Sequence, residues 1–163
     1  MSHVEILLAE RSPSPTELAN ALAQFTKKKG RPSDPHLSRL LDVVEAGVSS
    51  LASRDLAGLL VSCSRINIAR PRLWHALCSA IGAKAAGLDA RGIANTLNAL
   101  AKLDYYDKAV VEKLLVEVLL KAGDFNSQDR TTTLNALAKF DHVDKAVTEK
   151  LSAVASIHGN CKR

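Results

Sequence analysis

Apolar residues recur along this chain at intervals of three and four. Ile93, Leu97 and Leu100, with Ala94 and Ala101 beside them, mark one helical face, and Val110, Leu114 and Val118 mark the next. Upstream, Leu73, Leu77 and Ile81 repeat the pattern, as do Leu37, Leu41 and Val44. That is the period of an amphipathic α-helix. The start signals agree. Ser14-Pro15-Thr16-Glu17 is a capping box with proline at the first helical position, and Asp34-Pro35 opens a second helix. Asp107 and Asp144 are the expected N-caps of two later helices, where a short carboxylate accepts from free backbone N–H groups. Gly87 and Gly123 are expected to close helices in the left-handed conformation.

These helices come in tandem. Residues 88–114 and 125–151 align at an offset of 37 with 15 of 27 positions identical, including an intact TLNALAK and the pattern D-x-x-D-K-A-V-x-E-K-L. One step further back, LASRDLAGLLVSCSRI keeps the character of LDARGIANTLNALAKL: Leu56 stands for Ile93, Leu60 for Leu97 and Arg65 for Lys102. A fourth copy begins near Ser14 at an offset of 38, with a longer internal loop, KKKGRPSDP. A lone two-helix hairpin cannot bury both of its faces, and stacked neighbours supply the missing surface. The sequence therefore predicts an all-α fold, an α-solenoid of four two-helix repeats of 37–38 residues. Residues 1–163 form a single helical-repeat domain with repeats at about 14–50, 51–87, 88–124 and 125–161.

Composition narrows the function classes. Aromatics are 4% while Ala and Leu are abundant, so the mix leans towards helix. The net charge of +5 permits a polyanionic partner without demanding one. The excess is local: Arg54, Arg65, Arg70, Arg72 and Lys84 face only Asp55 in the second repeat, a net of +4, whereas residues 88–124 net −1. No apolar stretch approaches the roughly 18 residues of a membrane span. The opening MSHVEILLAE carries two glutamates and no Lys or Arg, which fits neither a secretory signal nor an Arg-rich transit peptide. Cys63, Cys78 and Cys161 form no C-x-x-C; the first two fall on apolar positions and read as inert core thiols. The five histidines are scattered, and no metal-ligand spacing, nucleotide loop or nucleophile motif occurs. No catalytic residue, metal, cofactor or small-molecule substrate is expected. Asp104–Asp107 recurs as Asp141–Asp144, which marks turn and cap residues rather than a unique acidic site.

One further periodic face runs along the first helix of each repeat. In the third repeat it holds Arg91, Asn95, Asn98 and Lys102, and in the fourth Gln128, Thr132, Asn135 and Lys139. The second has Arg54, Gly58, Val61 and Arg65, and the first has Thr16, Asn20, Ala23 and Lys27. The last position is basic in all four repeats. In a solenoid, equivalent positions line up, so Lys27, Arg65, Lys102 and Lys139 would form a ladder along an extended polyanion. Basic side chains neutralise phosphates, and Asn and Gln offer donors and acceptors to the edges of exposed bases. Lys28, Lys29 and Arg31 in the first loop are candidate phosphate contacts. Tyr105 and Tyr106 are expected to pack rather than stack on a base, and Trp74 to lie in the core or on a protein contact. The alternative for the stripe is a solvated polar surface, with Asn98 and Asn135 bonding one repeat to the next.

The 37-residue unit carrying IANTLNALAKL resembles the heptatricopeptide repeats of apicomplexan and related organellar proteins, and is similar to the octotricopeptide repeats of algal chloroplasts and mitochondria. The resemblance covers about residues 14–159 and is strongest in the third and fourth repeats. It implies an organellar RNA-binding factor. Many such proteins end in a RAP domain, a small nuclease-like module. This chain ends at Arg163 without one, so processing activity tied to that domain is not expected. The resemblance points to a mitochondrial address and to a non-catalytic component of a ribonucleoprotein such as the mitoribosome, in contact with single-stranded or ribosomal RNA and with other protein subunits. The competing expectation is a scaffold or accessory subunit of a mitochondrial protein complex, a respiratory complex or ATP synthase, with no RNA contact.

Overall fold

The helical periodicity is realised as eight α-helices in a computed structural model, which describes residues 14–27, 35–142 and 144–159. The chain divides into two units, residues 1–84 and 85–163. The first contains α1 (Pro15–Lys27), α2 (Pro35–Gly47), α3 (Ser53–Arg65) and α4 (Pro71–Ala83). The second contains α5 (Ala90–Lys102), α6 (Lys108–Leu120), α7 (Ser127–Lys139) and α8 (Lys145–Gly159). Short 3-10 turns at Val48–Ser50, Ala85–Gly87 and Ala122–Asp124 follow α2, α4 and α6.

Each unit is two antiparallel hairpins packed like on like. α1 packs on α3 and α2 on α4; in the second unit α5 packs on α7 and α6 on α8. The apolar stripes form this packing. Leu37, Leu41, Val44, Leu73, Leu77, Ile81, Ile93, Leu97, Leu100, Val110, Leu114 and Val118 are all buried. Each fully buried Leu or Ile contributes about 1.5–3 kcal/mol relative to exposure. Ala94, Ala99 and Ala101 are buried as well, and their small side chains let neighbouring helices approach. Trp74 lies in the core of the first unit. Cys63 and Cys78 are free, buried thiols; burial pushes the Cys63 thiol up to about 12, so it stays protonated and unreactive at neutral pH. Cys161 lies outside the described residues.

The helix starts follow the sequence signals. Ser14 Oγ accepts from the Glu17 N–H at 3.3 Å, and the Glu17 carboxylate accepts from the Ser14 N–H at 2.7 Å, closing the capping box. The Ser14 hydroxyl, which also donates to this carboxylate, and the Ser14 N–H hold the Glu17 pKa below its ordinary value. Asp107 accepts from Val110 N–H at 3.1 Å and Asp144 from Val147 N–H at 3.0 Å. Asp89 and Asn126 cap α5 and α7 in the same way. Asp34 lies outside the described residues.

The helix ends correct one expectation. No described glycine has a positive φ; Gly87 and Gly123 sit inside the 3-10 turns instead. The left-handed residues are Asn67, Asp104 and Asp141, spaced 37 apart at the ends of the first helices. The bond after each runs back five residues, as in a Schellman cap: Ile68 to Cys63, Tyr105 to Leu100 and His142 to Leu137, at 3.3, 3.0 and 3.0 Å. Asn and Asp tolerate this conformation because their short polar side chains bond locally.

The second helices end differently. The Lys84 ammonium donates to the carbonyls of Ser49 and Leu51 at 2.8 and 2.6 Å. Its counterpart Lys121 donates to Ala86 and Leu88, both at 2.7 Å, and pairs with Glu117 at 2.9 Å. Each lysine thus ties the end of one second helix to the turn that precedes its own repeat.

Candidate nucleic-acid interface

The first helices display the polar stripe on their accessible side. Lys27, Arg54, Arg65, Arg91, Lys102, Gln128, Asn135 and Lys139 are exposed, and Asn95, Asn98 and Thr132 are half-buried. Helical spacing places Arg91, Asn95, Asn98 and Lys102 along one face of α5, and Gln128, Thr132, Asn135 and Lys139 along the matching face of α7. The two helices that carry these quartets, α5 and α7, pack on each other within the second unit. In the first unit the stripe is thinner. Gly58, Val61 and Ala23 interrupt it, and Thr16 Oγ1 donates to Asp55 Oδ2 at 3.0 Å, tying α1 to α3. Lys28, Lys29 and Arg31 lie outside the described residues.

What these side chains do not do is informative. Thr96, Thr131 and Thr148 each donate a hydroxyl to a carbonyl one turn back, the usual local use of a polar group on a helix. Among the described residues, the side chains of Asn95, Asn98, Gln128 and Asn135 have no hydrogen-bond partner, so the asparagines do not bond one repeat to the next. Six stripe cations, Lys27, Arg54, Arg65, Arg91, Lys102 and Lys139, have no carboxylate partner among the described residues. Arg70, by contrast, is held by Asp42 and Ser38 at 2.7 and 2.8 Å.

Two structural explanations bear on the basic ladder. Lys27, Arg65, Lys102 and Lys139 all fall in the last turn of their helices, where a cation opposes the negative end of the helix dipole and contributes about 0.3–1 kcal/mol. Arg39, Arg72, Lys113 and Lys150 on the second helices are also exposed and unpaired among the described residues. The recurrence of a last-turn cation therefore has a local cause. The unpaired amides beside it have none, and they distinguish this face.

Other candidates resolve as packing. Tyr106 stacks at a tilt on Phe140, ring centres 5.3 Å apart, and its hydroxyl lies 3.2 Å from His142 Nδ1. It links the third repeat to the fourth rather than standing free for a base. Among the described residues no three His, Cys, Asp or Glu side chains gather to hold a metal ion, and no helix is long and apolar enough to cross a membrane. The junction lysines were the signal that sequence reading missed; the 37-residue spacing of Lys84 and Lys121 was enough to find them. No protein-family model and no curated protein matches the sequence.

Proposed function

We propose that this chain is a non-catalytic RNA-binding protein whose four repeats stack into an α-solenoid, with the first helices holding one RNA strand. The observation that carries the reading is the pair of matched quartets on α5 and α7, whose amides and cations are exposed or half-buried and have no side-chain partner among the described residues. The two asparagines at one position, Asn98 and Asn135, would meet successive bases with the same donor and acceptor set. Arg91, Lys102 and Lys139 would sit on phosphates. The resemblance to organellar repeat proteins supports the same reading and supplies the mitochondrial address.

Four repeats give a footprint of about four nucleotides if each reads one base. With a net charge of +5, binding by the isolated chain is weak. The protein therefore works inside a larger ribonucleoprotein, such as the mitoribosome, where neighbours hold the same RNA. The test is purification of the chain from its own cells, with co-purifying RNA measured before and after nuclease. Nuclease-sensitive RNA that is lost with Lys102→Ala plus Lys139→Ala supports the reading. RNA retention that ignores both substitutions contradicts it. A protein-scaffold role has its own observation, the exposed Val116, Leu120 and Ile157 on the second helices. Loss of a protein partner without loss of RNA would favour it.

A further inference from the structure

The second helices of the C-terminal unit carry more apolar surface than their core requires. In α6, KAVVEKLLVEVLL, the inward set Val110, Val111, Leu114, Leu115 and Val118 is buried. Val116 and Leu120 are left over, 55% and 73% exposed. One repeat later the same two positions of α8 hold Ala153 and Ile157, the latter 71% exposed. The repeat itself does not demand this. In the N-terminal unit the matching residues are Asp42 and Ala46 on α2 and Ser79 and Ala83 on α4. Three of the five exposed large apolar side chains among the described residues thus share one face. Apolar patches of this kind mark contact surfaces.

The pattern specifies the shape of what covers it. Val116 and Leu120 are one turn apart, as are Ala153 and Ile157, and the two helices pack on each other. Packed helix axes lie about 8–10 Å apart, so the four side chains edge a furrow wide enough for one further helix. The charges specify its sign. Lys108 pairs with Glu112 at 3.7 Å and Lys145 with Glu149 at 3.8 Å, which neutralises that end. Glu117 is taken by Lys121. Lys113 and Lys150, three residues before Val116 and Ala153, are exposed with no partner among the described residues, and the next carboxylate, Asp124, stands beyond the end of α6.

We infer that α6 and α8 dock an acidic amphipathic helix of a partner protein, with leucine-like residues at i, i+4 in the furrow and Asp or Glu facing Lys113 and Lys150. This surface is independent of the RNA reading, since it uses none of the first-helix residues. The test titrates the full chain with two synthetic helical peptides of about 18 residues. Both carry the same leucine spine, one flanked by glutamates and the other by lysines. The acidic peptide should bind at least about tenfold tighter. Leu120→Asp with Ile157→Asp should abolish that binding while the circular dichroism spectrum stays that of the parent. Lys113→Glu with Lys150→Glu keeps the apolar face and should reverse the peptide preference. Equal affinity for both peptides, no binding of either, or a dimer of the chain that Leu120→Asp dissociates would overturn the inference.

Discussion

The third and fourth repeats are the most alike in the chain, yet their equivalent positions meet different surroundings. Ala90, Ala94, Leu97 and Ala101 form a buried face of α5. The matching Ser127, Thr131 and Ala138 on α7 are exposed, and Leu134 is half-buried. On the second helices, buried Val111, Leu115 and Val118 become exposed Thr148, Ser152 and Ala155. These positions are covered in the third repeat and open in the fourth. Identity between the two repeats therefore reports the contacts that every hairpin makes. The differences report what covers each repeat, since apolar residues stand where the face is buried and polar ones where it is open.

The sharpest contrast lies at one position. Ile93 is fully buried, whereas its counterpart Arg130 donates to the Phe125 carbonyl at 2.6 Å and to Ser127 Oγ at 3.1 Å. In the third repeat the matching carbonyl, that of Leu88, is already taken by Lys121. Ile93→Arg would bury a cation with no free acceptor and should cost about 3–5 kcal/mol, read as a collapse of the urea midpoint by circular dichroism. A loss below about 1 kcal/mol would mean that the face is not closed. Next in size, Leu97→Ala should cost about 3 kcal/mol and Leu134→Ala about 1, because only the first leaves a sealed cavity. Equal costs would erase the distinction between a covered and an open face.

The smallest effect has opposite signs in the two repeats. Thr96 and Thr133 are both fully buried. Thr96 Oγ1 donates to the Gly92 carbonyl at 2.7 Å, whereas Thr133 Oγ1 has no partner among the described residues. Thr96→Val should destabilise by about 1 kcal/mol, and Thr133→Val should be neutral or stabilise by up to about 1, measured by the same denaturation.

Much of this was legible in the sequence because a repeat states its contacts more than once. The buried sets of α5 and α6, the caps at Asp107 and Asp144 and the capping box at Ser14 all follow from period and recurrence. The helix ends did not follow from glycine. Gly87 and Gly123 invited a left-handed cap, but the chain continues there into 3-10 turns tied by Lys84 and Lys121. The left-handed turns fall instead on Asn67, Asp104 and Asp141, whose side chains suit that backbone. The outward apolar face of α6 was illegible for another reason. A helix apolar on nearly every side has no periodic signal to tell Val116 and Leu120 from the core. The stripe on the first helices was legible as a pattern, and the structure adds that its amide side chains have no partner among the described residues.

The claim that the first helices hold RNA is tested most directly by the salt dependence of binding to a short single-stranded RNA. Each phosphate contact contributes about 0.7 to the slope of log affinity against log salt. Lys102→Ala with Lys139→Ala should flatten that slope by about 1.4. Lys113→Ala with Lys150→Ala, which removes the same charge from the second helices, should leave it nearly unchanged. An unaltered slope after the first pair, or equal flattening by both pairs, would contradict a specific first-helix interface.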